Sequence, residues 1–166
     1  MTQQTQVAAP TDGRHDFDFF IGAWKVHHRM LRERLKGSTD WEEFGGTTTA
    51  CRLLDGLGNI DEITLDRESG LTRGMTVRLF DPKTRQWSLY WASSVSGWNW
   101  HLPQIGVFTD GRGEFYAHEP FEEKYVFSRF IWSGITPISC RWEQAFSADG
   151  GRTWETNWIM DFERIN

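Results

Sequence analysis

Two adjacent histidines, His27 and His28, are the side chains of this sequence best suited to proton transfer. An unperturbed imidazole titrates at about pH 6.5, so it can serve as an acid, a base or a metal ligand. Neighbouring side chains of a β-strand point to opposite faces, and the two histidines therefore cannot hold one metal ion. His28 shares a face with Trp24. If that face is inward, His28 is a candidate acid–base catalyst and ligand contact; the alternative is a neutral histidine hydrogen-bonded within the core.

Other signatures of catalysis are missing from the sequence. It contains no G-x-S-x-G elbow, no HExxH and no phosphate-binding P-loop. The two cysteines, Cys51 and Cys140, stand in neither a CxxC nor a metal-ligand spacing. We therefore predict no metal and no cofactor. Any catalysis would depend on an acid–base group such as His28.

The segment "SADGGRTWETNW" at 147–158 fits the pattern S-x-D-x-G-x-T-W. The pattern resembles the Asp-box of sialidase-type propellers, where it recurs from blade to blade. Here it occurs once, in a chain too short for a propeller. Asp149 is expected to accept hydrogen bonds from backbone N–H groups two residues ahead, and Gly150 and Gly151 permit positive φ. The segment is therefore predicted to be a hairpin turn, in which Asp149 is structural and after which Trp154 begins a strand.

Length and charge restrict the class of protein. A chain of 166 residues fits one domain. The net charge of −5 argues against a nucleic-acid partner, because such proteins usually carry a basic surface. No run reaches the roughly 18 apolar residues of a membrane span, and the polar residues 1–14 do not predict a signal peptide. We predict a frayed tail at 1–14, one domain at 15–166, a cytoplasmic location and reduced thiols.

Turn sequences recur at short intervals, and the stretches between them are rich in β-branched and aromatic residues. The clearest predicted strands lie at 74–80, 86–93, 124–134, 139–147 and 153–165, while 14–22 reads as a short helix. In the last strand Trp154, Thr156, Trp158, Met160 and Phe162 are expected on the inner face, with Asn157 outside. About ten strands in an open sheet would leave exposed edges, which closure removes. The prediction is a closed antiparallel up-and-down barrel, with room for one small ligand.

The segment "FDFFIGAWKVHHRM" places Gly22-x-Trp24 at the start of a long strand. This resembles the G-x-W signature of the calycins, which include lipocalins and fatty-acid-binding proteins. With "LDGLGNIDE", "RFIWSGIT" and "RWEQAFSADGGRTWETNWIMDF", the resemblance extends over most of 15–165 to a bacterial family of uncharacterised lipocalin-like proteins. It implies the barrel fold and no established reaction. It also implies that Trp24 plugs one end of the barrel beneath a basic residue of the last strand, here Arg164, as a cation–π pair.

Alternation along the predicted strands gives an aromatic lumen with few polar groups. Arg52 and Glu62 are possible polar members, with their facing unresolved, and the facing of Arg78 and Tyr90 is also open. The predicted ligand-binding residues are His28, Met30, Trp91, Trp142, Gln144, Trp158 and Met160.

The leading functional prediction is a barrel that binds a small hydrophobic or aromatic molecule, because such pockets are mostly apolar with a few placed polar groups. The alternative is a cofactor-independent isomerase, cyclase or lyase that uses the same cavity, with His28 as acid–base. Trp98 and Trp100 lie in the loop "SVSGWNWHLPQ". They are expected to form either a lid or the contact of a homodimer.

Overall fold

The computed structural model describes residues 12–98 and 102–166, and within them almost all regular structure is β-strand. The only helical pieces in these residues are the 3₁₀ turns Asp18–Phe20 and Leu54–Gly56. The predicted short N-terminal helix is thus a single 3₁₀ turn. The strands are β1 (Gly22–Leu31), β2 (Trp41–Leu53), β3 (Gly58–Arg67), β4 (Gly70–Asp81), β5 (Gln86–Ser93), β6 (Gly97–Trp98), β7 (Gln104–Thr109), β8 (Arg112–Phe121), β9 (Lys124–Ser133), β10 (Ser139–Ser147) and β11 (Glu155–Arg164).

Ten of these strands form a closed ring. The antiparallel order runs β4-β3-β2-β1-β11-β10-β9-β8-β7-β5, and β5 returns to pair with β4. Among the described residues, β6 is an extra strand that pairs with β5 outside the ring. The first and last long strands are neighbours, with Trp24 opposite Arg164. The predicted closed antiparallel barrel is confirmed.

The core lies inside the ring and is aromatic. Trp24, Trp87, Trp132 and Phe115 are each at most 2% exposed. Side chains alternate between lumen and surface along each strand, so His28 is fully buried while His27 is exposed. Large rings suit this interior, because each removes much apolar area from water.

One end of the barrel is sealed, and we call it the plug end. The 3₁₀ turn folds Phe20 into the core, and the indole Nε1 of Trp24 donates a 2.8 Å hydrogen bond to the Phe20 carbonyl. The guanidinium carbon of Arg164 lies 4.1 Å from the Trp24 ring centroid, so the predicted cation–π contact is present. The opposite end, which we call the mouth end, carries the β1–β2 connection at 32–40 and the β8–β9 turn around Glu122.

A β-bulge corrects the prediction for the last strand. Gln144 pairs with Trp158, whereas Ala145 pairs with Thr156, so Asn157 is an extra residue on β11. Asn157 is fully buried rather than outward, and Thr156 moves to the outer face opposite Ala145. Trp154 precedes the strand and packs on the outside beneath Arg129, 4.5 Å from its ring. One extra residue in a strand reverses the inward or outward facing of the residues that precede it in that strand.

The predicted tail at 1–14 falls largely outside the described residues, since these begin at residue 12. The Gly13 carbonyl accepts a 3.1 Å hydrogen bond from Trp87 Nε1 of β5. Among the described helical residues, none form a helix with the length and apolar character needed to span a bilayer.

Candidate functional site

A cavity of about 200 Å³ occupies the lumen. It extends from Phe20 and Phe162 near the plug to Leu102, Glu119 and Pro120 near the mouth end. An apolar cavity of about 150 Å³ in another protein admits benzene. The space here therefore suits a small molecule with one or two rings.

Aromatic side chains form much of the cavity wall. The indole of Trp158 meets Trp142 at 5.2 Å and Trp91 at 5.9 Å between ring centroids, both edge-to-face. Phe130 meets Trp142 at 4.8 Å in the same manner. Edge-to-face pairs at these distances are favourable beyond their burial, so the rings support one another. The absence of a side chain at Gly74 leaves room for Trp91, whose ring would overlap a Cβ there.

Five of the seven predicted ligand-binding residues line this cavity, and two do not. The five are Trp91, Trp142, Gln144, Trp158 and Met160. Met30 is buried nearer the mouth end of β1, outside the lining. His28 is also outside the lining, and it is fully buried in contact with Trp158, which does line the cavity. Neither His28 nor Met30 therefore has a side chain in the lining, and a role for either in ligand binding stays a prediction.

His28 is held between rings and positions Trp158. Its imidazole stacks on Phe44 at 4.7 Å, and its Nδ1 accepts a 3.3 Å hydrogen bond from Trp158 Nε1. Burial lowers the pKa of His28 to about 4, against a smaller opposing effect of the Thr64 backbone near Nε2. Within the described residues no group meets hydrogen-bonding geometry at that Nε2. His28 therefore has the contacts of a neutral histidine buried in the core, which was the alternative to a catalytic role in the sequence analysis.

A buried ion pair forms the floor of the cavity. Arg78 is 3% exposed and donates to Asp61 Oδ2 at 2.8 Å and to Asn59 Oδ1 at 2.9 Å. The same guanidinium lies over the rings of Phe20, at 5.0 Å, and Phe17, at 5.2 Å. Pairing and stacking of this kind offset the cost of burying the charge.

The polar residues of the cavity floor could be predicted only in part from the sequence. Alternation in β3 puts Asn59 and Asp61 on the face of Ile63 and Leu65, which signals an inward polar pair. Arg52 and Glu62 were instead the possible polar lumen groups considered from the sequence, with their facing unresolved. Both lie on the exterior, where they pair with Asp18 and Arg73.

The last open facing is that of Tyr90. It lies between the inward Leu89 and Trp91, and so it points outward opposite Val77.

A second polar cluster, the mouth cluster, consists of Gln104, Ser128 and Glu119. Ser128 Oγ donates to Glu119 Oε2 at 2.8 Å, and Gln104 Nε2 donates to the same oxygen at 3.3 Å and to Ser128 Oγ. Burial raises the pKa of Glu119, while these two hydrogen bonds and the charge of Arg34 oppose the rise. Within the described residues Gln104 Oε1 has no hydrogen-bond partner. Nothing in the sequence pattern singled out these three residues.

Gln144 is a lining residue with an internal partner. Its Nε2 donates a 2.8 Å hydrogen bond to Oδ1 of Asn157, the bulge residue. The bulge therefore turns an amide inward to meet the Gln144 amide. This contact gives the buried Gln144 amide an internal partner, while the residue still lines the cavity.

The Asp-box-like segment forms the β10–β11 turn, as expected. Asp149 accepts hydrogen bonds from the backbone N–H groups of Arg152 and Thr153, at 3.1 and 2.9 Å, and from the Thr153 hydroxyl at 2.6 Å. The backbone donors lie three and four residues ahead rather than the predicted two, because Gly150 and Gly151 both adopt positive φ and widen the loop. These hydrogen bonds lower the pKa of Asp149. All its contacts are internal to the turn.

The remaining candidates concern metals, thiols and the loop after β5. No cluster of three or more potential metal-ligating side chains occurs in residues 12–98 and 102–166. Both cysteines are unpaired, with Cys51 exposed and Cys140 buried. Trp98 is 67% exposed at the tip of β6. Trp100 lies outside the described residues, so the choice between lid and homodimer contact stays a prediction.

Comparison with known proteins adds a fold likeness. An S-type phycobiliprotein lyase, CPES, from Guillardia theta superimposes with a TM-score of 0.61 over 99% of both chains, at 12% sequence identity. A redesigned beta barrel matches with a TM-score of 0.50 over 96% of this chain and all of the other, at 8% identity. No protein-family model and no curated protein sequence matches the chain. At such low identities the likeness supports the lipocalin-like barrel fold alone.

Proposed function

We propose that this protein binds a small, predominantly aromatic molecule inside its barrel. The observation that carries the proposal is the cavity of about 200 Å³ walled by Trp91, Trp142 and Trp158. Protein interiors are normally packed with few voids larger than a water molecule. An apolar cavity with polar groups at its floor and its mouth has the composition of a ligand site.

The fold likeness is consistent with this proposal. The phycobiliprotein lyase shares the barrel over its whole length. The alternative of a cofactor-independent isomerase, cyclase or lyase with His28 as acid–base has less support, because His28 does not line the cavity. The cytoplasmic location and the homodimer through Trp98 and Trp100 remain predictions.

A cavity-filling substitution tests the proposal directly. Thr76 lines the cavity, so Thr76→Trp places an indole in the ligand's space. Val77→Trp adds the same ring on the outer face of β4, opposite Tyr90, and is the matched control. Binding of one- and two-ring aromatic compounds is measured by calorimetry and by the emission of the lining tryptophans. Circular dichroism melts establish that both variants fold.

The expected result separates the two variants. Thr76→Trp should weaken binding by more than about tenfold, because the added indole occupies the ligand's space and the ligand loses its apolar contacts with the wall. Val77→Trp should bind as the wild type does. Equal binding by all three proteins would show that the ligand lies elsewhere and would overturn the proposal.

A further inference from the structure

We infer that the molecule bound in the cavity carries a protonated amine, which the mouth cluster holds beside the indole rings. This inference rests on the proposed function and adds the chemical class of the ligand. It follows from the unpartnered oxygen of Gln104 in the mouth cluster, from the charge of the cavity wall and from the aromatic faces.

Among the described residues, the mouth cluster contains a buried acceptor that no donor reaches. Oε2 of Glu119 takes the hydrogen bonds of both Ser128 and Gln104, and Oε1 takes neither. The nitrogen of the Gln104 amide must face Glu119, because a carboxylate oxygen cannot donate. Oε1 of Gln104 is therefore the other atom of the amide, and it is buried without a partner among the described residues. A buried acceptor of this kind is costly unless a donor reaches it.

The charges along the cavity wall favour a cation over an anion. The charged lining residues are Asp61, Arg78 and Glu119. Arg78 is committed to Asp61 at the floor, so the carboxylate of Glu119 is left uncompensated within the lining. Behind it, Arg34 sits over the ring of Phe146 and is shared between Glu119 and Glu155. Arg67 also lies near Arg34, but neither arginine lines the cavity, so the lining itself carries two carboxylates and one guanidinium.

The aromatic walls supply the second half of an ammonium site. Trp91, Trp142, Trp158 and Phe130 line the cavity together with Glu119. A cation placed over an indole face is attracted by the ring's negative quadrupole, more strongly where water is excluded. A protonated amine donates up to three hydrogen bonds, which suits the Glu119 carboxylate together with Gln104 Oε1, an acceptor without a partner among the described residues. An anionic ligand would meet the same oxygens as repulsive neighbours.

The test compares three probes that differ only in the head group: 2-phenylethylamine, 2-phenylethanol and 3-phenylpropanoate. Calorimetric titrations at neutral pH and low salt give a Kd for each with the wild-type protein. The amine should bind about tenfold to a hundredfold more tightly than the carboxylate, with the alcohol between them. A carboxylate that bound as tightly as the amine would overturn the inference.

Two variants assign the preference to the mouth cluster. Glu119→Gln should remove most of the amine's advantage over the alcohol, and unchanged alcohol binding would show that the variant's cavity is intact. Glu122→Gln alters an exposed carboxylate in the adjoining β8–β9 turn and should leave all three constants unchanged. If Glu119→Gln bound the amine as the wild type does, the inference would fail while the proposed function stood. If none of the three probes bound the wild-type protein, both would fail.

Discussion

His28 illustrates how a single titratable side chain can be structural in this fold. The imidazole is fully buried between Phe44 and the indole of Trp158, and burial lowers its pKa to about 4. It must therefore remain neutral in the folded protein at pH 7, with Nδ1 unprotonated to accept the Trp158 hydrogen bond. Its effect on the cavity is indirect, through the orientation of Trp158.

This neutral state predicts acid sensitivity of the fold. In the unfolded chain His28 protonates at about pH 6.5, whereas in the folded state it resists protonation until about pH 4. The unfolded state therefore binds more protons between these values, and stability falls as the pH is lowered through that window. The contribution of His28 to the free energy of unfolding should fall by about 2 kcal/mol from pH 7.5 to pH 5. Urea denaturation at the two pH values measures it.

The control uses the neighbouring histidine. His28→Phe keeps a ring beside Phe44 and removes the titration, so its loss of stability between the two pH values should be smaller than that of the wild type. His27→Gln changes an exposed side chain that pairs with Glu43, and it should keep the wild-type loss. The same pH dependence in wild type and His28→Phe would contradict the assignment.

Residue facing could be predicted where strands alternate regularly. Trp142, Trp158 and Met160 were placed in the lumen from parity alone, and the cavity is lined by all three. Parity says which side of the sheet a residue occupies, but not how deep it lies behind larger neighbours. That is why His28 was expected to line the lumen. The mouth cluster could not be predicted, because it joins β7, β8 and β9 through side chains that are unremarkable in sequence.

At the scale of the strand, β2 contains two adjacent glycines where its pairing with β3 is interrupted. Gly45 pairs with Asp66 of β3, and pairing resumes where Thr48 meets Ile63. The two intervening residues, Gly46 and Thr47, lie against Thr64 of β3. A Cβ at Gly46 would overlap the Thr64 backbone carbonyl and come within 2.9 Å of His28 Nε2. A Cβ at Gly45 would meet nothing within 4 Å. Glycine inside a strand commonly marks such a close backbone approach at a barrel corner.

Alanine substitutions at these two positions should therefore differ. Gly46→Ala forces β2 and β3 apart and should lower the free energy of unfolding by about 2 kcal/mol or more, in the range of overpacked cores. Gly45→Ala has open space and should change stability by less than about 0.5 kcal/mol. Chemical denaturation of the two variants provides the comparison. Equal losses would mean that the close approach at Gly46 does not constrain the strand.

Element boundaries were predicted less well than element type. The alternating pattern located β5 and β10, while the bulge at Asn157 broke the pattern of β11. A bulge adds one residue to a strand but leaves no mark in the composition. A simple alternation of inward and outward residues is then continued through the bulge and assigns the wrong face to the residues on its far side. The 3₁₀ turn Asp18–Phe20 is also shorter than the predicted helix, since its aromatic residues are drawn into the plug.

At the scale of the molecule, the plug joins segments from both ends of the described chain. Arg164 donates to the carbonyls of Ile21 and Phe19, at 2.8 and 2.5 Å, and to that of Pro137 at 2.8 Å. It thus fastens the 3₁₀ turn, the β9–β10 connection and β11 while it stacks on Trp24. A planar guanidinium donates to these acceptors from three separate nitrogens while its face stacks on the indole, whereas the ammonium of a lysine is a single point charge.

Closure between β1 and β11 also predicts that the chain can be circularly permuted. The Ile165 N–H donates a 2.9 Å hydrogen bond to the Ala23 carbonyl, so the start of β1 and the end of β11 meet at the plug end. A Gly/Ser linker of about ten residues from Asn166 to Asp12 should join them without altering the strand order. New ends between Asp110 and Gly111 would open an exposed two-residue turn in which both φ values are positive. This permutant should unfold cooperatively, within about 2 kcal/mol of the parent chain.

A second permutant supplies the control, because its new ends fall in a turn that the barrel uses. Cutting between Asp149 and Gly150 separates the Asp149 carboxylate from the N–H groups of Arg152 and Thr153. The cut removes these charge-assisted hydrogen bonds, so this permutant should be clearly less stable than the one opened at Asp110. Denaturant midpoints of the two permutants measure the difference. The two permutants share the same linker and differ only in the position of the new ends. If the Asp110 permutant were unfolded while the Asp149 permutant folded, this account would be contradicted.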